Sequence, residues 1–82
     1  MILVRVKLFA IVRERAGTGE TLLELADGAT VAAAVEKLAE KFPAIGDFLK
    51  RSALAVNQTY VDRQTRLRDG DELAVIPPVS GG

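Results

Sequence analysis

The sequence predicts an α+β domain of two layers, a mixed five-stranded sheet covered on one face by one main helix. Three observations predict it. Segments 2–9, 20–25, 54–57, 60–61 and 72–76 read as strands, most plainly where apolar and polar residues alternate. Segment 31–42 alone carries sustained helical periodicity. A sheet with one apolar face needs a cover, and no other segment is long enough to supply it.

In segment 2–9, Ile2, Val4, Val6 and Leu8 share one face; Leu3, Arg5, Lys7 and Phe9 share the other. The first set must face the core. Phe9 is then turned outward, unless a neighbouring loop covers it. Residues 10–16 read as a short helix carrying Arg13, Glu14 and Arg15, stopped by Gly17. The strand at 20–25 should return antiparallel to the first. Asp27-Gly28 marks a turn, and Thr30 is a good N-cap for the main helix. That helix presents Val31, Val35, Leu38 and Phe42 at helical spacing, with Ala34 and Ala39 beside them and Glu36, Lys37, Glu40 and Lys41 on the wet side. Pro43 ends it at Phe42, because the residue before proline is pushed out of helical geometry.

Residues 44–51 read as an irregular or 3₁₀ connection in which Ile45, Phe48 and Leu49 pack down. Asn57-Gln58 suits a tight hairpin turn between 54–57 and the short strand at 60–61. Asp69-Gly70-Asp71 is a turn before the final strand, and the calcium-loop spacing that would make it a metal site is missing. In 72–76, Leu73 and Val75 face the core and Ile76 faces out. The simplest arrangement sets the last strand parallel to the first in the middle of the sheet, with the long crossover through the helix between them. Phe9 and Ile76 then share one end of the outer face, and Tyr60 could join them.

Composition narrows the chemistry. Eighty-two residues, 49% hydrophobic, allow one small core. Eleven basic and eleven acidic residues cancel, so no electrostatic footprint points to nucleic acid or to an anionic membrane. No apolar run approaches the roughly 20 residues of a membrane span, and the N-terminal residues alternate where a signal peptide would not. The expectation is a soluble cytoplasmic protein, with the Asn57-Gln58-Thr59 sequon unused. The chain has neither cysteine nor histidine. That removes disulfides, thiolate zinc sites, iron–sulfur clusters, cysteine nucleophiles and any histidine base. The reactive atom must belong to a carboxylate, a hydroxyl, a lysine or a chain end; no bound cofactor or metal is expected.

The last six residues, Pro77-Pro78-Val79-Ser80-Gly81-Gly82, stand apart. The two prolines cannot donate ladder hydrogen bonds and stop the strand. Gly81 and Gly82 lack a Cβ and fit a channel too narrow for other residues. The expected organisation is a folded body over 1–76 and a flexible arm over 77–82 that carries the Gly82 carboxylate into another protein's active site. A frayed end is the plain alternative.

These residues resemble a known family, the small sulfur-carrying subunit of molybdopterin synthase, a ubiquitin-like β-grasp protein. The landmarks are Leu8-Phe9-Ala10 with Arg13-Glu14 and Gly17, Ala55-Val56-Asn57-Gln58 with Tyr60-Val61, Leu67-Arg68-Asp69-Gly70-Asp71-Glu72, and Ile76 through Gly82. The closing Pro-Pro-Val-Ser-Gly-Gly is the most specific of them. The resemblance implies a cycle. An ATP-dependent activating enzyme, similar to those that adenylate ubiquitin, forms an acyl-adenylate on Gly82. A sulfur donor then yields a thiocarboxylate. The arm enters the large synthase subunit, where sulfur passes to cyclic pyranopterin monophosphate to build the dithiolene. The family assembles as a heterotetramer of two large and two small subunits, so the catalytic pocket lies in the partner. The resemblance also implies a docking patch of Phe9, Tyr60 and Ile76, with Arg13 as a polar rim contact and residues 77–82 as the inserted arm. Ile76 stands where relatives also have an aromatic. Three other functions compete: a sulfur carrier for the thiazole of thiamine, a modifier conjugated to proteins through Gly82, and a binding module with an inert tail.

Overall fold

The strands form one five-stranded sheet in the order β2-β1-β5-β3-β4. The computed structural model describes residues 1–78. Along the chain, β1 (Ile2–Leu8) is followed by α1 (Ala10–Ala16), β2 (Glu20–Leu25) and α2 (Val31–Lys41). A 3₁₀ turn (Pro43–Ile45) and α3 (Gly46–Leu49) lead to β3 (Ala53–Val56), β4 (Thr59–Val61) and β5 (Glu72–Ile76). Strands β1 and β5 run parallel at the centre; the β1–β2, β3–β4 and β3–β5 pairs are antiparallel. This is the mixed sheet expected from the sequence, with its last strand beside its first.

One face of the sheet is the core. Ile2, Val4, Val6 and Leu8 of β1 meet Leu73 and Val75 of β5, Leu23 and Leu25 of β2, and Leu54 of β3. Helix α2 covers them with Val31, Ala34 and Leu38, all fully buried. Val35, Ala39 and Phe42 pack at the margin. The Thr30 side chain accepts the Ala33 N–H at 3.2 Å, satisfying one of the donors that a helix start leaves free. The helix ends at Lys41, one residue before the expected limit. Phe42 has already left helical geometry (φ −129°, ψ 79°), as a residue preceding proline must.

Three strands shift by one residue at their boundaries, β4 starting at Thr59 in place of Tyr60. β1 ends at Leu8, which leaves Phe9 as the cap of α1. β3 spans Ala53–Val56, because Asn57 is taken by the turn. The connection after Pro43 is more regular than expected, with Ile45 and Leu49 buried. Phe48 is half-buried, and the Arg15 guanidinium lies 5.8 Å from its ring centre.

Asn57 ties the β3–β4 turn to the start of β5. Its side chain donates to Asp71 Oδ1 at 3.0 Å and accepts the Glu72 N–H at 3.0 Å. Asp71 in turn accepts from the Arg68 N–H through Oδ2, and Asp69 accepts the Leu3 N–H, both at 2.8 Å. The acidic turn therefore orders the chain at the bottom of the central strands. Among the described residues, no group of three or more acidic side chains could hold a metal ion, and no helix is long and apolar enough to cross a membrane.

Candidate functional site

Among the described residues, no helix lies over the second face of the sheet. Its side chains come from the odd positions of β1 and their register partners. One row runs Glu20, Lys7, Ala74, Ala55, Tyr60 across all five strands. The next row towards the C-terminal end of β5 sets Ile76 opposite Ala53. The parallel β1–β5 register closes at Leu8 and Val75, so the residues that follow on the two strands, Phe9 just past the end of β1 and Ile76 at the end of β5, lie side by side. Phe9 is 43% exposed and Tyr60 71% exposed, while Ile76 is half-buried. The structure thus brings Phe9 and Ile76 together at one end. It sets Tyr60 two strands away, roughly 10 Å by ordinary strand spacing, on the same face.

Between them lies a floor that the sequence pattern did not single out. Ala53, Ala55 and Ala74 occupy the middle of the open face, and Ala55 is only 5% exposed although it faces outward. These three small side chains lie between Phe9 and Ile76 at one end of the face and Tyr60 on the edge strand. Alternation marks such alanines as outward. Only the register shows that they are neighbours.

Local backbone aims Phe9. Its carbonyl accepts the N–H groups of Val12 and Arg13, at 3.2 and 3.3 Å, which starts α1 directly behind it. The next residue, Ala10, sits at φ 52°. That left-handed conformation is uncommon for a residue with a Cβ and costs on the order of 1–3 kcal/mol, held here by the structure on both sides. The C-terminal end of α1 is relaxed by contrast, with Gly17 at φ 80° and its N–H donating to the Arg13 carbonyl at 3.0 Å.

Arg13 is exposed, as a rim residue should be. Its guanidinium lies flat against Gly19, where an added Cβ would stand 3.0 Å from Cζ. Gly19 in turn accepts the Leu8 N–H at 2.9 Å, so Arg13 is held beside the end of β1. At the start of β5, Glu72 sits between Lys7 (3.3 Å) and Arg5 (3.9 Å), which partly offsets their charge on the open face.

Pro77, at the root of the arm, is buried, and Pro78 is exposed. The remaining arm residues assigned from the sequence, Val79, Ser80, Gly81 and Gly82, lie outside the described residues.

An uncovered sheet face with an apolar end, beside the strand that leads into a Gly-Gly terminus, defines a carrier of the ubiquitin-like β-grasp class. Comparison with known proteins is specific. The ThiS family model matches residues 6–82. The chain is 42% identical over 81 residues to the molybdopterin synthase sulfur carrier subunit of Chlamydomonas reinhardtii, covering 96% of this chain and 98% of that one. It is 41% identical over 83 residues to the protein of the same name from Mycobacterium tuberculosis, over the full length of both. Among solved structures, small archaeal modifier protein 1 from Methanosarcina acetivorans superposes with a TM-score of 0.87 at 32% identity, covering 100% of this chain and 98% of that one. The chain belongs to the ThiS family, alongside the sulfur carrier subunits of molybdopterin synthase.

Proposed function

We propose that this chain is the sulfur carrier of molybdenum cofactor biosynthesis, acting in the cytoplasm as the small subunit of molybdopterin synthase. The full-length identity to carriers of that name supports the assignment. The observation that carries it structurally is the pairing of β5 with β1 at the sheet centre. That pairing starts the Gly-Gly arm beside Phe9 and Ile76 on the uncovered face, so one partner can grip the patch and receive the arm together.

The chemistry follows from the reactive groups the chain has. A carboxylate is a poor electrophile. Adenylation of Gly82 by an ATP-dependent activating enzyme turns one of its oxygens into a leaving group, and sulfur from a donor takes its place. The thiocarboxylate is a soft nucleophile, so the carrier works without cysteine. Inside the large subunit the tethered sulfur has a high effective concentration and is shielded from hydrolysis. Gly81 and Gly82 reach the reacting centre. Phe9, Tyr60 and Ile76 dock, Arg13 contacts the rim, and Pro77, Pro78, Val79 and Ser80 span the entry. The assembly would hold two large and two small subunits, and the catalytic pocket would belong to the large one.

The test is reconstitution with a choice of partner. The thiocarboxylated chain, offered to the large subunit of molybdopterin synthase with cyclic pyranopterin monophosphate, should yield the dithiolene. Offered to a thiazole synthase with its precursors, it should yield no thiazole. The reverse pattern would assign the chain to thiamine. The likeness to an archaeal protein named as a modifier favours one second reading, conjugation through Gly82 to other proteins. Denaturing gels of cell extract separate the two: a ladder of covalent conjugates for a modifier, one free species for a carrier alone.

A further inference from the structure

The two edges of the sheet are finished differently. At the β2 edge, Lys41 reaches back from the last turn of α2. Its ammonium donates to Thr21 Oγ1 at 2.8 Å and to the Leu22 carbonyl at 3.3 Å. A lysine laid on an edge strand is a standard barrier to further strand pairing.

The β4 edge has no such plug among the described residues. Asn57 and Gln58 form the hairpin turn with φ 49° and 71°, the two left-handed residues of a type I′ turn. In a two-residue hairpin the closing pair, here Val56 and Thr59, is hydrogen-bonded. The ladder then alternates: Ala55–Tyr60 is a non-bonded pair and Leu54–Val61 a bonded one. The Asn57 N–H bonded to the Glu72 carbonyl agrees, because it shows the odd residues of β3 turned to β5 instead. The N–H and C=O of Tyr60 therefore point out of the sheet. Asp62, two residues along the chain, is already engaged with the Gln64 N–H and the Thr65 hydroxyl. An open groove of about 410 Å³ lies beside this edge, lined by Tyr60, Val61, Asp62, Arg63 and, at the start of β3, Ser52 and Ala53. Ala53 is the register partner of Ile76. The bare edge thus borders the Ala53–Ile76 pair, one residue before the root of the arm.

We propose that the large subunit of molybdopterin synthase adds an extended segment along β4, paired to the chain through the backbone N–H and C=O of Tyr60. The inference rests on the carrier reading above and deepens it. The chemistry selects an extended peptide, since one outward donor and one outward acceptor on the same residue match one residue of a passing strand. Continuity selects the partner that takes the arm, because the edge, the Tyr60 ring and the Ala53–Ile76 pair adjoin one another. With only three residues in β4, the pairing fixes the angle at which the partner sits. The patch supplies more of the affinity.

Backbone amide hydrogen exchange, read by NMR on the chain alone and with the purified large subunit, tests this. Binding itself is followed independently by the side-chain signals of Phe9 and Ile76. The Tyr60 amide should exchange freely in the isolated chain and slow at least roughly tenfold in the complex, as expected for a hydrogen bond gained. The Val61 amide, already bonded to β3, should be protected in both. A complex that forms with Tyr60 exchange unchanged overturns the inference and leaves the carrier reading standing. Failure to form any complex overturns both. Tyr60 protection that rises with concentration in the isolated chain would hand the edge to a second copy and also overturn it. A paired variant sharpens the result. Tyr60→Pro removes the outward N–H, at an edge position where proline is tolerated, and Tyr60→Ala removes only the ring. The proline variant should bind a further roughly threefold to tenfold more weakly than the alanine variant at unchanged melting temperature. Equal affinities would contradict the pairing.

Discussion

Strand β1 has two faces with opposite duties. Ile2, Val4, Val6 and Leu8 point under α2 and are buried. Leu3, Arg5 and Lys7 point the other way, and Phe9 joins them just past the strand end. The same contrast runs through β5, where Leu73 and Val75 are fully buried and Ala74 and Ile76 are half-exposed. A single long helix can cover one face only. Stability is therefore concentrated on the covered side, and the other side is left for recognition. A small domain with one core tolerates little loss on the first face and much more on the second.

Substitution on the covered face should break the contrast most severely. Leu73→Ala removes a fully buried side chain from the central strand. It should cost about 2–5 kcal/mol and lower the melting temperature by at least roughly 10 °C, measured by circular dichroism. On the open face, Phe9→Ala should leave the melting temperature within a few degrees. It should weaken binding of the large subunit by about 1–3 kcal/mol, read by calorimetry. Collapse of the free domain on that substitution would place Phe9 in the core. A smaller effect tests the cover itself. Thr30→Ala deletes the N-cap contact to Ala33 and should cost about 1 kcal/mol of stability with no change in partner affinity, since Thr30 begins the helix on the far side of the sheet.

Much of this was readable before any coordinates. Alternation sorted β1 and β5 correctly because each is buried on one side only, which period two reports directly. The N-cap Thr30, the stop at Gly17 and the turn at Asn57-Gln58 are local chemistry and appear where local chemistry put them. Phe9 and Ile76 could be placed outward from pattern and together from a guessed strand order, which the sheet confirms.

What was missed depends on contacts between distant parts of the chain. The cluster of Ala53, Ala55 and Ala74 exists only in the register of two strands, β3 and β5. The bonds from Asn57 to Asp71 and Glu72 span 14 and 15 residues and leave no periodic trace. Lys41 reads as one wet-face lysine until its reach to Thr21 and Leu22, 20 and 19 residues back, becomes visible. The left-handed Ala10 carries no glycine or asparagine to announce it. Each of these features lies at an edge, at an end or on the open face. There tertiary geometry decides and the two local periods say little.

As a sulfur carrier, the chain would hold its cargo on its own terminus. Intact mass after incubation with an activating enzyme, ATP and a sulfur donor tests it most directly. The predicted result is a gain equal to replacing one oxygen by sulfur, located at Gly82 by fragmentation and lost when Gly82 is deleted. An unchanged mass, with adenylation of Gly82 demonstrated in the same reaction, would contradict it.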